Sequence, residues 1–318
     1  MRAVVVVICF LNILNYSVNA FNVAQTRALF VRNEKIPGPK QCIKPFVNLK
    51  KIQHRFLVSK KYKFNFCAIN KNFSTILQAI ICYLSEPAQA KSANNIVSYN
   101  WAYSYCPVSS IKTSMTQIAN ENSDGKLPQL FRTFKHYVIV REPIERFVSG
   151  FVDKCIFEAK NNKRKSICFG CKQNLSCFIK KLHNRLFNEA TREVSPKKFY
   201  YYDSHFYPQS WECHVSDYSK NYKIIKFSSA KAQIPAFHSK ILKILEERKV
   251  PKAKRDFIYA SISSKKTSHS HADSKITQSI LNQIIASPEL QEYLYLMYFK
   301  DYEIFNFQLP TFMKKRKQ

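Results

Sequence analysis

The stretch from Tyr137 to Lys154 constrains the fold of this chain most, because it joins a predicted buried strand directly to a predicted helix. Val138–Val140 is a β-branched run without a polar interruption, which is typical of a strand covered on both faces in a parallel sheet. Pro143 suits a first helical turn, and the apolar residues after it recur at helical spacing. The unit therefore predicts an α/β fold with a central parallel sheet.

The junction of this strand and helix carries two side chains that suit an anion. Arg141 lies at the carboxyl end of the strand, and Ser149 follows about two helical turns later. Ligands of open α/β sheets bind in crevices at such strand ends, so we expect both side chains to converge on one anion. The alternative is an exposed helix start in which Glu142 and Arg146 form an i,i+4 ion pair worth about 0.2–0.5 kcal/mol.

The same stretch resembles a known family. The signature RDPxxRxxSxxxDK of carbohydrate sulfotransferases of the chondroitin and HNK-1 type is matched here by Arg141, Pro143, Arg146, Ser149, Asp153 and Lys154. Glu142 stands where the family has aspartate. The resemblance implies that Arg141 and Ser149 hold the 3′-phosphate of 3′-phosphoadenosine 5′-phosphosulfate (PAPS). It also implies a three-layer α/β sandwich with a central parallel sheet, similar to nucleotide kinases.

A second strand, loop and helix unit comes earlier in the chain. FNFCAIN, which starts at Phe64, predicts a strand, and STILQAIICYL, which starts at Ser74, predicts a helix with one apolar face. The loop between them is similar to the family pattern PKxGxT for the 5′-phosphosulfate. Lys71 and Thr75 match that pattern, whereas Asn70 replaces the proline and Phe73 the glycine.

The resemblance implies roles for this loop. Lys71 would be catalytic, and the donor would be bound by Lys71, Asn72, Phe73, Ser74 and Thr75. A lysine charge and the amides at a helix start are what an anionic ligand requires. From the residues alone, an ordinary strand-to-helix turn with Ser74 as the N-cap is the alternative.

A third motif lies in FYYYDSHFYPQSWECH, which begins at Phe199 and resembles the family segment DxHWxPQxxxC. An imidazole with a pKa near about 6.5 suits removal of a proton from a sugar hydroxyl, so His205 is the candidate catalytic base. The alternative is that His205 is a hydrogen-bonded wall residue of the cleft.

Farther on, the family places a flexible basic loop over the nucleotide, and this makes Lys265 and Lys266 candidate donor contacts. The ending YFKDYEIFNF resembles the family's YxxDYxLFxY, with Asp301 and Phe305 as structural residues.

The amino terminus predicts the compartment. Arg2 precedes a short apolar run, and Val18-Asn19-Ala20 resembles a cleavage site. We interpret residues 1–20 as a signal peptide or signal anchor, 21–62 as a stem or irregular lead-in, 63–310 as the sulfotransferase domain and 311–318 as a basic tail. The protein would then act in the secretory pathway, either in the Golgi lumen with a type II membrane anchor or as a secreted protein.

The charge predicts an anionic partner. The chain has 51 Lys and Arg against 21 Asp and Glu, a formal charge of +30. A luminal location and the lack of a nucleic-acid-binding motif exclude nucleic acid and favour an acidic polysaccharide. The basic, cysteine-rich segment 160–172 could receive such a chain or be a solvated loop. The oligomeric state is not indicated.

The ten cysteines fit an oxidising lumen and predict disulfides. A zinc site at the CxxC of Cys168 and Cys171 is the alternative, but no second metal-spaced pair follows, and we expect no metal. Cys67 and Cys82 lie in apolar elements and are predicted to be buried thiols.

Of the two N-x-Ser sequons, Asn174 is the expected glycan site, and Asn72 is expected to be unmodified.

Together these features predict a PAPS-dependent sulfotransferase that acts on a sugar hydroxyl of a chondroitin-like glycosaminoglycan without a metal ion. Two other functions stay open. The replacement of a glycine by Phe73 would suit a luminal or secreted polyanion-binding protein that keeps the fold with little or no catalysis. A luminal kinase would use ATP, but the motif GxxxxGK[ST] is absent from the sequence.

Overall fold

The structure is a computed structural model, and it describes residues 42–43, 52, 54–85, 96–97, 108–161, 167–191, 203–264 and 274–314. The predicted signal segment 1–20, most of the predicted stem, and Lys265 and Lys266 lie outside the described residues. Within the described ranges, no helix has the length and apolarity that crossing a membrane requires.

A mixed five-stranded sheet forms the centre of the fold, in the order β3-β1-β2-β4-β5. Its strands are β1 (Phe56–Ser59), β2 (Phe64–Cys67), β3 (Ile111–Lys112), β4 (Lys135–Arg141) and β5 (Tyr222–Phe227). Strands β2, β4 and β5 are parallel, and β1 and β3 are antiparallel additions at one edge. The predicted α/β fold with central parallel strands is confirmed. Because β1 lies in the sheet, the sheet begins before residue 63, inside the segment that the sequence predicted as a lead-in.

Nine longer helices surround or adjoin the sheet in the described ranges. They are α1 (Ser74–Ser85), α2 (Met115–Asn122), α3 (Leu127–Thr133), α4 (Pro143–Phe151), α5 (Leu175–Thr191), α6 (Ile234–Glu247), α7 (Lys252–Ser264), α8 (Lys275–Ala286) and α9 (Pro288–Ile304). A π-helix (Val152–Glu158) continues α4. The shorter helical segments are Val108–Ser110, Ala159–Asn161, Ile167–Gly170, Asp203–His205, Gln209–His214, Val215–Tyr218, Ser219–Asn221, Lys231–Gln233 and Thr311–Lys314.

Both faces of the sheet are covered, because side chains alternate between two cores along each strand. Tyr137 and Ile139 of β4 pack with α1, α6 and α7 on one face. Val138 and Val140 pack with α2 and α3 on the other. A separate core joins α4, α5, α8 and α9 beside the sheet. Burial on both faces explains why β4 has no polar interruption in its middle.

The prediction that Cys67 and Cys82 are free thiols was wrong. Cys67 is bonded to Cys213 across a sequence separation of 146 residues, and Cys82 is also in a disulfide. An apolar neighbourhood indicates burial but cannot distinguish a thiol from a disulfide whose partner is distant in sequence. The CxxC sulfurs belong to separate disulfides, Cys155–Cys168 and Cys171–Cys177, so the disulfide interpretation of that segment is confirmed.

Candidate active site

The site lies where the carboxyl ends of β2 and β4 meet. The two strands are parallel neighbours, with Cys67 opposite Val138, so the loop after β2 and the start of α4 lie at the same edge of the sheet. Arg141 Nη1 donates a hydrogen bond to the Lys71 carbonyl oxygen at 3.2 Å, although the two residues are 70 positions apart. The sheet therefore brings together the two loops whose motifs predict phosphate binding.

The loop from Asn70 to Phe73 turns sharply before α1. Lys71 has φ 70° and Phe73 has φ 63°, both in the left-handed region that favours glycine. The Phe73 ring packs against Phe227 and Phe237, with ring centroids 5.8 and 5.0 Å away. The chain thus keeps a glycine-like backbone where the family has glycine. The ring packs against a strand and a helix on one side of this loop.

The Asn72 side chain holds this loop in place through buried hydrogen bonds. Its side chain is 1% exposed, and Nδ2 donates to the Ile139 carbonyl at 2.9 Å and to Gln209 Oε1 at 2.6 Å. Its backbone amide donates to the Ile69 carbonyl. These hydrogen bonds position the loop, and the donor contact that the resemblance implies for Asn72 stays a prediction. A glycan on this nitrogen would replace one of its two hydrogens, so at least one of these two hydrogen bonds would have to break.

The Lys71 ammonium is buried and paired. Lys71 Nζ lies 3.0 Å from Asp153 Oδ2. Burial lowers the pKa of Lys71 below its ordinary value, and the Asp153 carboxylate opposes this by raising it, while Lys154 and Arg141 lower it further. Asp153 lies in the π-helix after α4, next to Lys154, whose Nζ contacts Asp153 and Glu158. The sequence contained Asp153 in a motif but no signal of its contact with Lys71.

The Arg141 guanidinium is held on several sides. Nη2 donates to Glu145 Oε1 at 2.9 Å and to Ser229 Oγ at 2.6 Å, and the group lies 5.4 Å from the centre of the Phe227 ring. Its Nε is buried with no hydrogen-bond partner in the described part of the chain. Burial raises the pKa of Glu145, but Arg141 and the hydrogen bonds from Ser229 outweigh it, so that pKa lies below its ordinary value. Sequence reasoning missed Ser229.

Arg146 connects two loops of the site. Its Nε donates to the Asn70 carbonyl at 3.0 Å and its Nη1 to the Tyr207 carbonyl at 2.7 Å, and the side chain is buried. The i,i+4 pair that forms is Arg141 with Glu145. The alternative of an exposed helix start with a Glu142–Arg146 pair is wrong, because Glu142 caps the amide of Glu145.

Gln209 holds the segment around His205 against the end of β4 through hydrogen bonds. The Arg141 amide donates to Gln209 Oε1 at 2.9 Å, and Gln209 Nε2 donates to the Arg141 carbonyl at 2.8 Å. Asp301 of α9 accepts hydrogen bonds from the amides of Gln209 and Ser210, both at 2.8 Å. This agrees with the structural role expected for Asp301. The motif around His205 is thereby fixed beside Arg141.

The remaining predicted residues lie around this centre. Ser74 and Thr75 begin α1, whose first amides have no partner within the helix. Ser149 is half-buried on α4, and its hydroxyl makes no hydrogen bond to the described residues.

His205 is 5% exposed, and its carbonyl lies 3.4 Å from the position that a Cβ on Gly150 would take. The neighbouring Ser204 accepts a hydrogen bond from Asn70, so the His205 segment adjoins the Lys71 loop.

The arrangement suits a ligand with two separated anionic groups. The Lys71 ammonium, paired with Asp153, precedes the first amides of α1, and the Arg141 guanidinium, paired with Glu145, lies on the neighbouring loop and contacts the Lys71 carbonyl. Both groups are attached to parallel strand ends, where their separation is set by the sheet and not by a mobile loop.

Comparisons with known proteins agree with this geometry. Residues 54–308 match the model of the Sulfotransferase family. The chain is 29% identical over 273 residues to carbohydrate sulfotransferase chst-1 of Caenorhabditis elegans, which covers 86% of this chain and 80% of that protein. It is 26% identical over 260 residues to the putative sulfotransferase vep-2 of the same organism, which covers 80% of this chain and 78% of that protein. No solved structure matches the chain significantly.

The family match runs from the residues just before β1 to those just after α9, and it includes every described residue of the site. The chain is therefore a sulfotransferase and belongs to the sulfotransferase family, in accord with the resemblance that its motifs carry to carbohydrate sulfotransferases.

Proposed function

We propose that this sulfotransferase moves a sulfuryl group from PAPS to a sugar hydroxyl of a chondroitin-like glycosaminoglycan. The observation that carries the proposal is the contact between the two phosphate-binding loops, where Arg141 Nη1 lies 3.2 Å from the Lys71 carbonyl. PAPS carries a 5′-phosphosulfate and a 3′-phosphate, so it presents anions to both loops at once. Nucleotides with a triphosphate have a different charge distribution and lack the 3′ group that Arg141 would hold.

The residues present fit this donor. Lys71, Ser74 and Thr75 would hold the 5′-phosphosulfate, and Arg141 and Ser149 the 3′-phosphate. The buried Nε of Arg141, which lacks a described partner, and the Ser149 hydroxyl are donors that a phosphate could use. Lys265 and Lys266 remain predicted donor contacts outside the described residues.

The chemistry assigned to the protein is positioning and charge stabilisation. The donor supplies an activated sulfuryl group. Lys71 would stabilise the negative charge that develops on the leaving phosphate oxygen, and Arg141 would set the distance between donor and acceptor. His205 is the candidate for accepting the proton of the sugar hydroxyl. No described residue has to contribute a metal ligand for these steps.

The charge and the disulfides support the proposed acceptor and compartment. A formal charge of +30 favours an acidic polysaccharide, and the relative chst-1 is named a carbohydrate sulfotransferase. The disulfides Cys67–Cys213, Cys155–Cys168 and Cys171–Cys177 fit the oxidising lumen of the secretory pathway. We infer that the protein acts in the Golgi lumen, anchored through residues 1–20, or is secreted.

The test is sulfate transfer from labelled PAPS to a panel of desulfated glycosaminoglycans. Lys71→Ala and Arg141→Ala should each lower kcat/KM about 100-fold or more, because each removes a charge that faces the donor. Lys220→Ala, which truncates an exposed lysine on a short helical segment, is the control and should transfer normally. Melting temperatures of all three variants separate loss of activity from loss of fold.

Equal incorporation by the wild type, Lys71→Ala and Arg141→Ala would show that the site is wrongly assigned. Binding of glycosaminoglycan by the wild type, without PAPS binding and without transfer, would favour the polyanion-binding alternative instead.

A further inference from the structure

A groove runs along the free edge of β5. Among the described strands β5 has β4 as its only neighbour, so its outer edge is not covered by another strand. The groove has a volume of about 570 Å³. It lies between α6 and the end of α9 and is lined by Tyr137, Lys223, Ile224, Ile225, Lys226, Lys240, Lys243, Ile244, Glu247, Ile304, Phe305 and Asn306.

Lysines line both sides of this groove. Lys240 and Lys243 are exposed, one helical turn apart on α6, and neither has an ion-pair partner among the described residues. Lys223 lies 3.9 Å from Glu247, and both of these side chains are more than two-fifths exposed. On the side of α9, Lys226 Nζ donates to the Asn306 carbonyl. The four lysines face one carboxylate, so the groove presents an excess of positive charge to an anionic ligand.

The floor of the groove is partly apolar. Ile224 is 39% exposed at the middle of β5, and Ile304 and Phe305 adjoin it at the end of α9. Sugar rings have apolar C–H faces as well as charged substituents, so a groove with an apolar floor and cationic walls suits an acidic polysaccharide. An added peptide strand fits less well, because lysines on an edge strand, here Lys223 and Lys226, oppose strand pairing.

The groove leads to the donor loops. Phe227, the last residue of β5, lies opposite Arg141 in the sheet, and its ring packs against Phe73. Lys223 lies roughly 13 Å from Phe227 along the strand, at about 3.3 Å per residue. A polysaccharide lying along β5 would therefore have one end beside the site and its remaining sugars among the lysines.

We propose that the β5 groove, defined by Lys223, Lys226, Lys240, Lys243 and Ile224, binds the anionic chain of the acceptor polysaccharide beyond the sugar that is sulfated. The inference rests on the proposed function for the identity of the acceptor. It assigns a binding surface that is separate from the donor site. The basic segment around Lys160 and Lys172 is the competing surface for the same chain.

The experiment compares two variants with the same change in charge. The groove variant is Lys240→Glu/Lys243→Glu, and the matched variant is Lys160→Glu/Lys172→Glu, since all four lysines are exposed. Binding of a long chondroitin sulfate chain is titrated at several salt concentrations. Sulfate transfer is measured in parallel to a long desulfated chain and to a short oligosaccharide. The groove variant should bind the long chain at least about 10-fold more weakly, with a shallower salt dependence.

Transfer should show the same selectivity. In the groove variant, KM for the long acceptor should rise about 10-fold while kcat, and transfer to the short acceptor, stay unchanged. The matched variant should resemble the wild type in both assays. Equal weakening by both variants, or weakening by the Lys160/Lys172 variant alone, would overturn the proposal, as would a wild-type dimer formed through this edge. If the wild type transfers sulfate to no glycan, the proposed function fails, and the binding titration still tests the groove.

Discussion

At the scale of single residues, Phe73 combines a favourable contact with an unfavourable backbone. A left-handed conformation costs a residue with a side chain about 1–2 kcal/mol relative to the right-handed one, and glycine avoids that cost. Phe73 adopts φ 63°, yet its ring packs against the rings of Phe227 and Phe237. The packing of the ring offsets the cost of the backbone, which explains how the loop keeps its shape without glycine.

This predicts an order of stability for two variants. Phe73→Ala and Phe73→Gly both lose the ring, but only Phe73→Gly also removes the strained backbone. We expect Phe73→Gly to be about 1 kcal/mol more stable than Phe73→Ala in urea unfolding. At Ile76, inside α1, the order should reverse, because glycine is less stable than alanine in a helix by about 1 kcal/mol. Equal stabilities of the two Phe73 variants would contradict the left-handed assignment.

At the scale of elements, the π-helix decides which residues meet Lys71. The segment Val152–Glu158 winds more widely than an α-helix, and π-helical turns of this kind occur frequently at functional sites. In this winding Asp153 reaches the Lys71 ammonium, while Lys154 pairs with Glu158. Asp153 thus acts through Lys71, as a positioning residue that keeps a buried ammonium charged.

The charge of Asp153 should therefore be visible in the pH dependence of transfer. Burial lowers the pKa of Lys71 and Asp153 raises it, so Asp153→Asn should lower that pKa further. The proposed mechanism uses the protonated Lys71 ammonium, so the alkaline limb of the kcat/KM profile should move to lower pH in Asp153→Asn. Glu158→Gln is the control, because Glu158 contacts Lys154 and not Lys71. An alkaline limb that stays in place in Asp153→Asn would show that Asp153 does not set the charge of Lys71.

At the scale of the whole molecule, a disulfide joins the two halves of the site. Cys67 ends β2, and Cys213 lies in the turn that carries Gln209. Gln209 bonds to both the amide and the carbonyl of Arg141. The disulfide and Gln209 therefore hold the Lys71 loop, the Arg141 strand end and the His205 segment in one unit.

The disulfides should contribute unequally to stability. Cys67 and Cys213 are 146 positions apart, whereas Cys171 and Cys177 are 6 apart. On the loop-closure model, Cys67→Ala/Cys213→Ala should lower the free energy of unfolding by about 3 kcal/mol more than Cys171→Ala/Cys177→Ala, because a longer loop restricts the unfolded chain more. Urea unfolding of the two double variants measures the difference. Equal losses would mean that native-state contacts, and not loop closure, dominate the effect.

Local sequence patterns were sufficient to predict the strands and helices that carry the site. The β-branched run of β4 predicted a strand covered on both faces, and the proline with its helical spacing predicted α4. The apolar face after Ser74 predicted α1 in the same way. These predictions succeed because period and residue type reflect the burial of each element, which is a property of neighbouring residues.

Such local patterns could not predict the contacts between segments that are distant in sequence. Lys71 with Asp153, Asn72 with Gln209, and Cys67 with Cys213 join positions 82, 137 and 146 apart. The buried Arg146, for which a surface ion pair with Glu142 was the alternative to its place in the motif, joins two backbone loops.

The sequence by itself determined the α/β architecture with central parallel strands, the candidate anion-binding residues at two strand ends and the sulfotransferase resemblance, because short local motifs encode all three. Only the tertiary structure decided which charges neutralise one another, which cysteines pair and where the free edge of β5 lies. The physical reason is that strand order and register set those distances, and neither is encoded in the residues of one element alone.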